Sequence, residues 1–352
     1  MGKCLIIGQG LAGSFLALEC YRQGIEFHVV DAGHPQSASR QAAGLWNPVS
    51  FKRITAHESI HEYLDALFSL FEFSRSFIGN SFFHPLELAR IFPDQSYAND
   101  WDVKSENPKM SSLLAEPKVH LTGWHSPFGA GMVRNAGWID TPLFLEIVQQ
   151  WMIQKNTFSS DSFSESDIDF SDDQIIYQGE SYAHLIFCTG LFPTLKQFDF
   201  LNIIPNKGHL LELNVPALSQ DQIVHYGNFC IPIGNGKFRI GSTYEWEVAD
   251  NNVEDSLCNQ LLDLFSQHCH ELPEVRRTYI GHRPTVIDRN PIIGLLPEDK
   301  RLGVFNGLGT KGILQGPYMA KLLVQHLLTA APIPKTFHVT RFLNNQRLNT
   351  SQ

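Results

Sequence analysis

The chain has 352 residues with 43% hydrophobic, 18% charged and 11% aromatic content, which excludes disordered, collagen-like and coiled-coil classes. That length exceeds one small core and suits one large α/β unit or two subdomains. The formal net charge of −9 disfavours a general electrostatic grip on nucleic acid or anionic lipid.

Met1, Gly2 and Lys3 precede an apolar run at 4–7, and a glycine-rich turn follows at once. A signal peptide needs a longer apolar segment, so the start of a cytoplasmic fold is expected. Position 6 is Ile6, which does not fit a myristoylation signal, and no apolar stretch reaches the length of a membrane span. The six cysteines, Cys4, Cys20, Cys188, Cys230, Cys258 and Cys269, form no C-x-x-C pair, so reduced thiols are expected.

Residues 3–8 read as a strand. Residues 11–23 show helical spacing through Leu11, Phe15, Leu18 and Tyr21, with Gly24 as the stop. Residues 26–31 alternate into a second strand ending at Asp31. A polar segment, 35–41, leads into Ala42-Ala43-Gly44-Leu45-Trp46-Asn47-Pro48, and 55–77 reads as a long amphipathic helix. The stretch 80–134, rich in Pro, Asn, Asp and Ser, reads as irregular. Thr141-Pro142 opens a helix over 143–153, since proline suits a first helical turn. The acidic, serine-rich segment 159–173 reads as a loop or weak hairpin. Residues 183–189 form a buried strand ending at Gly190. Short strands dominate 207–243, with turns at Gly208, Asn228 and Gly234-Asn235-Gly236. Residues 253–270 read as a helix, 281–312 as glycine-rich turns and short strands, and 318–328 as a closing helix.

Gly8-Gln9-Gly10-Leu11-Ala12-Gly13 fits G-x-G-x-x-G, follows the first strand and opens the first helix. Gly8 permits the tight turn, Gly10 lets backbone approach a pyrophosphate, and Gly13 lets helix and strand pack closely. The helix N-terminus then faces phosphate charge. Asp31 follows Gly13 by 18 residues. A carboxylate there accepts bonds from ribose hydroxyls and repels a 2′-phosphate, which favours FAD or NAD over NADP. Three later glycine-marked turns, 42–45, 187–190 and 305–312, scatter the contacts widely and favour FAD.

These motifs, with Ser39 to Leu45, Cys188-Thr189-Gly190, Lys207-Gly208-His209, Phe238-Arg239-Ile240-Gly241-Ser242-Thr243, Gly281-His282-Arg283-Pro284 running through Asp288 to Pro291-Ile292-Ile293-Gly294, and the 307–312 turn, resemble the D-amino-acid oxidase and glycine oxidase family of FAD enzymes. Smaller features resemble the flavin domain of the bifunctional tRNA 5-methylaminomethyl-2-thiouridine biosynthesis enzyme: Asn135-Ala136-Gly137-Trp138-Ile139, the Leu308 to Gly312 run, and the tail from Pro332 to Asn344. Because the chain opens on the fingerprint, that enzyme's methyltransferase half is not expected.

The resemblance implies an α/β (α+β) fold. A Rossmann-like FAD-binding domain over 1–79, 140–205 and 280–335 is interleaved with a mostly antiparallel β-sheet substrate domain over 80–139 and 206–279, and 336–352 forms a C-terminal tail. It implies non-covalent FAD, since no Cys lies in the C-terminal flavin loop. The expected cofactor contacts are Gly8, Gly10, Leu11, Ala12, Gly13, Asp31, Ser39, Arg40, Ala43, Gly44, Leu45, Thr189, Gly190, Gly307, Gly309, Thr310, Lys311, Gly312 and Ile313.

The implied reaction oxidises the C–N bond of an amino acid or carboxylate-bearing secondary amine. Hydride passes to flavin N5, and the imine then hydrolyses. Arg283 is expected to clamp the substrate carboxylate, because guanidinium geometry suits bidentate contact. Lys311 stands where glycine oxidase has an Arg beside the flavin. The strand that supplies a substrate-contacting Tyr in glycine oxidase aligns near Phe229-Cys230-Ile231-Pro232, so that hydroxyl is missing. Tyr226 or Tyr244 takes its place, or either is a packed sheet residue. Trp46 and His209 are candidates for the pocket lining, with simple packing the preferred reading for both.

His57-Glu58-Ser59-Ile60-His61 satisfies the zinc-protease pattern H-E-x-x-H. No third ligand motif follows it, so it reads as a solvated helix face and no metal is expected. His268-Cys269-His270 reads as incidental. The expected partner is a small amine or amino acid. One alternative is an oxidase acting on a carboxymethylaminomethyl wobble uridine of tRNA, which the acidic charge disfavours. Another is a flavin-binding protein without turnover. The sequence leaves oligomeric state open.

Overall fold

The computed structural model describes residues 2–171, 173–192 and 194–343. The end of the expected tail, 344–352, lies outside the described residues.

A six-stranded sheet runs Ile292–Leu295, Leu302–Asn306, His184–Phe187, Cys4–Ile7, Phe27–Val30 and Phe158–Ser159 in spatial order. All neighbours are parallel except the first pair. The strands Cys4–Ile7, Ile292–Leu295 and Leu302–Asn306 are buried throughout and almost wholly apolar, because both faces of the sheet are covered there. The helix Leu11–Arg22 packs on this sheet and against the helix Gly312–Thr329. Gly316 makes that crossing close, since a Cβ there would lie 2.5 Å from the Phe15 ring.

The second layer is a nine-stranded sheet, antiparallel but for one pair. Its long strands, Ile204–Asn214 and Glu274–Thr285, pair with Asn206 opposite Arg283. Lys237–Gly241, Phe229–Gly234 and Ile223–His225 follow, and Ile223–His225 runs parallel to Leu88–Ile91. The helix Asp255–His268 covers the outer face with Cys258, Leu261 and Phe265. The expected divisions at 205/206 and 279/280 fall within the two long strands.

Three expectations about elements need correction. The stretch 80–134 is not irregular. It holds the strands Phe83–Pro85, Leu88–Ile91, Leu114–Lys118 and Ala130–Val133, and the helix Gln95–Ser105. That helix has a real start signal, since Asp94 accepts the Tyr97 N–H at 2.8 Å. The long helix begins at Ile60 rather than 55, because Ser50 and Thr55 pair in a bridge and Ile54 turns the chain with φ 48°. The closing helix begins at Gly312 rather than 318. Pro317 lies inside it, where it forfeits one backbone bond without ending the helix. All six cysteines are buried and free, and no helix of the described residues is long and apolar enough to cross a membrane.

Candidate active site

The glycine-rich turn is fixed from two sides. Asp31 accepts the Gln9 N–H through Oδ2 and the Gly33 N–H through Oδ1, both at 2.7 Å. Ser39 Oγ accepts the Leu11 N–H at 3.0 Å, so it caps the first helical turn from another segment. A Cβ on Gly13 would overlap the Gly8 carbonyl oxygen, which is why strand and helix approach only with glycine there. A Cβ on Gly44 would overlap the Ile139 oxygen. The Ile139 N–H also donates to the Gly44 carbonyl at 2.9 Å.

A cavity of about 1120 Å³ opens over these turns. It is lined by Gly8, Gly10, Leu11, Ala12, Asp31, Ser39, Arg40, Ala43, Gly44, Leu45, Thr189, Gly190, Gly309, Thr310, Lys311, Gly312 and Ile313. Gly13 and Gly307 lie behind its wall: Gly13 serves packing, and Gly307 turns the backbone with φ 70°. Asn306 donates to the Gly190 carbonyl at 2.8 Å and ties two of the turns together. The cavity suits a dinucleotide. It exceeds the ~300–1,000 Å³ of common small-molecule sites, and two helix N-termini, at Leu11 and Gly312, open onto it.

Arg283 lines the same cavity from the second layer. Its Nη1 donates to Asn206 Oδ1 at 2.8 Å and reaches the Thr243 carbonyl at 3.4 Å. The guanidinium lies 4.8 Å from the centre of the Tyr244 ring. Burial pushes its pKa down, yet a guanidinium stays charged. Among the described residues no carboxylate lies within ion-pairing distance of it. The result is a held, desolvated cation without an anion. Lys311, exposed, immediately precedes the helix Gly312–Thr329 at the cavity wall and makes no side-chain bond to its first turn.

Of the two tyrosines, only Tyr244 reaches the cavity. Tyr226 is 4% exposed and stacks on Trp124 in the core, where burial pushes its phenol pKa well up. His209 is packed, with Nδ1 3.0 Å from Thr243 Oγ1 and Nε2 accepting the Glu254 N–H. Trp46 is buried and stacks on Phe83, with one edge on the cavity wall. The zinc-like motif is corrected too. His57 precedes the helix, stacks on Tyr63 and lines the cavity, while His61 is exposed on the helix. Burial keeps His57 below the ordinary histidine range. Among the described residues no cluster of metal-ligating side chains forms.

Several lining residues were not singled out in the sequence: Tyr63, Gln315, His34, Phe192 and His225. Tyr63 is buried, its phenol pKa raised to about 12. None of the five sits in a motif, so spacing carried no signal for them. Asn206 had a nearby signal in Lys207-Gly208-His209.

The fold and cavity together define a flavin-dependent oxidoreductase. The profile of the DAO family, FAD dependent oxidoreductases, matches residues 3–326, and the chain belongs to that family. Its cofactor is FAD. The chain is 25% identical over 354 residues to the tRNA 5-methylaminomethyl-2-thiouridine biosynthesis bifunctional protein MnmC of Acinetobacter baylyi, covering 97% of this chain and 55% of that protein. It is 24% identical to the protein of the same name from Maricaulis maris, covering 94% and 53%. The chain thus spans about half the length of the curated relatives it matches. Among solved structures, glycine oxidase from Geobacillus kaustophilus superposes with a TM-score of 0.76 at 18% identity, covering 97% of this chain and 98% of that one. Iminodiacetate oxidase (IdaA) from Chelativorans sp. BNC1 gives 0.73 at 18%, covering 94% and 97%.

Proposed function

We propose that the protein oxidises the C–N bond of an amine that carries a carboxylate. The observation that carries this reading is Arg283: a desolvated guanidinium, braced by Asn206 and Tyr244, facing the cavity with no acidic partner among the described residues. Such a group favours a bidentate carboxylate. FAD supplies the two-electron acceptor when bound. The turn at Gly8 to Ala12 and Asp31 would hold its phosphates and ribose, and the Gly309 to Ile313 helix start with Lys311 would line the space for its ring system. Arg283 fixes the carboxylate and thereby the direction of the reacting C–H bond, so the protein contributes orientation more than proton chemistry. The cofactor half draws on 1–79, 140–203 and 286–335, and the substrate half on 80–139 and 204–285, which keeps both long strands and Arg283 with the second-layer sheet.

Anaerobic addition of amino acids, N-methyl amino acids and N-carboxymethyl amines to the yellow holoenzyme tests this. At least one carboxylate-bearing amine should bleach the flavin band, and Arg283→Ala should slow that bleaching at least ~100-fold. Bleaching by amines lacking a carboxylate, at an equal rate in Arg283→Ala, would overturn the clamp.

A second reading rests on the 25% identity over 97% of the chain to a tRNA-modifying protein, above the 18% shared with the two oxidases of known structure. In it the amine sits on a wobble uridine of tRNA. Filter binding of tRNA at two salt concentrations separates the readings, since phosphate contacts weaken steeply with salt.

A further inference from the structure

Behind the cavity wall a second arginine, Arg90, holds the wall residue His225, and neither belongs to a motif. Arg90 lies on Leu88–Ile91 and His225 on the parallel strand Ile223–His225, directly opposite each other. Arg90 Nη1 is 2.9 Å from His225 Nδ1. Arginine has donors only, so Nδ1 must accept. The Gly227 N–H also donates to Nδ1, at 3.3 Å. Two donors on one nitrogen place the ring proton on Nε2. The Arg90 guanidinium is itself held between the Phe51 and Tyr97 rings, at 5.5 and 5.4 Å from their centres. Among the described residues it has no carboxylate partner, and no protein group bonds His225 Nε2. Burial keeps the imidazole neutral. His225 lines the same cavity as Arg283.

We infer that His225 is a fixed neutral hydrogen-bond donor for the distal arm of the substrate, positioned by Arg90, and that the substrate is an extended amine with an oxygen acceptor on that arm. The inference rests on the Arg283 clamp for the near end. Span supports it. The Arg283 guanidinium lies beside Thr243, two residues beyond the end of Lys237–Gly241, and the strand order then runs through Phe229–Gly234 to Ile223–His225. Two strand spacings of roughly 4.8 Å put ~10 Å between the two anchors. A molecule the size of glycine engages one anchor only. An N-carboxymethyl amine whose second arm ends in a ring carbonyl or carboxamide reaches both. A neutral donor matches a neutral carbonyl, and leaving the donor unpaired in a desolvated wall penalises substrates without the acceptor.

The test uses the holoenzyme and a matched pair, N-benzylglycine and N-(4-carbamoylbenzyl)glycine, with anaerobic binding read from the flavin absorbance. Wild type should bind the carbamoyl compound ~10-fold more tightly. His225→Phe should abolish that difference while still binding N-benzylglycine. Equal affinities in wild type, binding of neither compound, or a preference that survives in His225→Phe overturns the inference. Arg283→Ala separates the two claims: if both compounds still bind it as tightly, the clamp falls, while the difference between them still reports on His225. Nitrogen-15 NMR of labelled histidine gives a readout independent of turnover. Wild type should show the His225 proton on Nε2. Arg90→Met should allow the Nδ1–H form and lower the carbamoyl preference, and Arg90→Lys should restore both. An Nδ1–H form in wild type overturns the positioning role of Arg90.

Discussion

Gly208 lies directly beneath Arg283. A Cβ at that position would come within 2.5 Å of Arg283 Nη1 and 2.7 Å of the Thr243 carbonyl. One contact is a side-chain end and the other is backbone, so relaxation cannot relieve both. The glycine is there for the guanidinium's place rather than for a turn. Gly208→Ala should therefore push Arg283 off Asn206 without unfolding the sheet. We expect kcat/KM for carboxylate-bearing amines to fall about 10–100-fold, ~1.4–2.8 kcal/mol in transition-state binding. Unchanged far-ultraviolet circular dichroism beside lowered kcat/KM checks it, and full activity in this variant counts against the arrangement.

Tyr244 and Tyr226 divide a role that their sequence positions left open. Tyr244 presents its ring to Arg283 at 4.8 Å, so the face matters more than the hydroxyl. Tyr244→Phe should keep carboxylate affinity within about threefold, whereas Tyr244→Ala should weaken it by ~0.5–2 kcal/mol. Tyr226 carries a buried hydroxyl with no hydrogen-bond partner among the described residues. Tyr226→Phe removes an unsatisfied polar group, so activity should hold and stability should stay level or rise by about 1 kcal/mol. Steady-state kinetics and urea unfolding on the same three proteins measure both halves.

What the sequence made legible was local. The fingerprint, its helix and Asp31 all fall within 31 consecutive residues, and Asp31 itself ties the turn through the Gln9 N–H, whereas the Ser39 bond to the Leu11 N–H comes from outside that stretch and was not legible. The brace of Arg283 was not legible, because Asn206 comes 77 residues earlier and meets it only through strand pairing. Arg90 and His225 are 135 residues apart for the same reason. The misreading of 80–134 has a related cause. Its strands are three to five residues long, too short for periodicity, and Leu88–Ile91 pairs with Ala130–Val133, some forty residues on, and with the distant Ile223–His225. His57 was put on a helix face because its spacing fits one; the Ser50–Thr55 bridge delays the helix start beyond it.

Gly13 separates packing from ligand contact. It does not line the cavity, yet a Cβ there would overlap the Gly8 carbonyl oxygen in the turn that does. Gly13→Ala should lift the helix Leu11–Arg22 away from Cys4–Ile7 and misplace the first-turn N–H groups. We expect FAD affinity to fall at least ~100-fold, so that the protein purifies largely colourless. The ratio of flavin to protein absorbance after gel filtration measures it, and a fully yellow variant would contradict the role given to this glycine.

The Arg90–His225 pair also leaves a mark on stability. Burial, with Arg90 beside it, lowers the His225 pKa from an ordinary 6.5 to about 3. In the unfolded chain the same ring takes up its proton near pH 6.5. Below that pH the unfolded state binds more protons than the folded state, so stability rises with pH across the window. The stabilisation is fully present above pH 6.5 and is lost progressively as pH falls towards 3. The gap between those values caps the loss at roughly 5 kcal/mol, and water entering the acid state reduces it to a few. His184, also lowered by burial, slopes the same way, so the wild-type curve alone does not isolate His225. His225→Gln does, because its side-chain oxygen can accept the Arg90 N–H but takes up no proton. Urea midpoints at pH 7 and pH 4.5 should converge in the variant relative to wild type, by about 1–3 kcal/mol in unfolding free energy. Parallel curves for the two proteins would mean that His225 titrates as an ordinary exposed imidazole and that Arg90 does not hold it neutral.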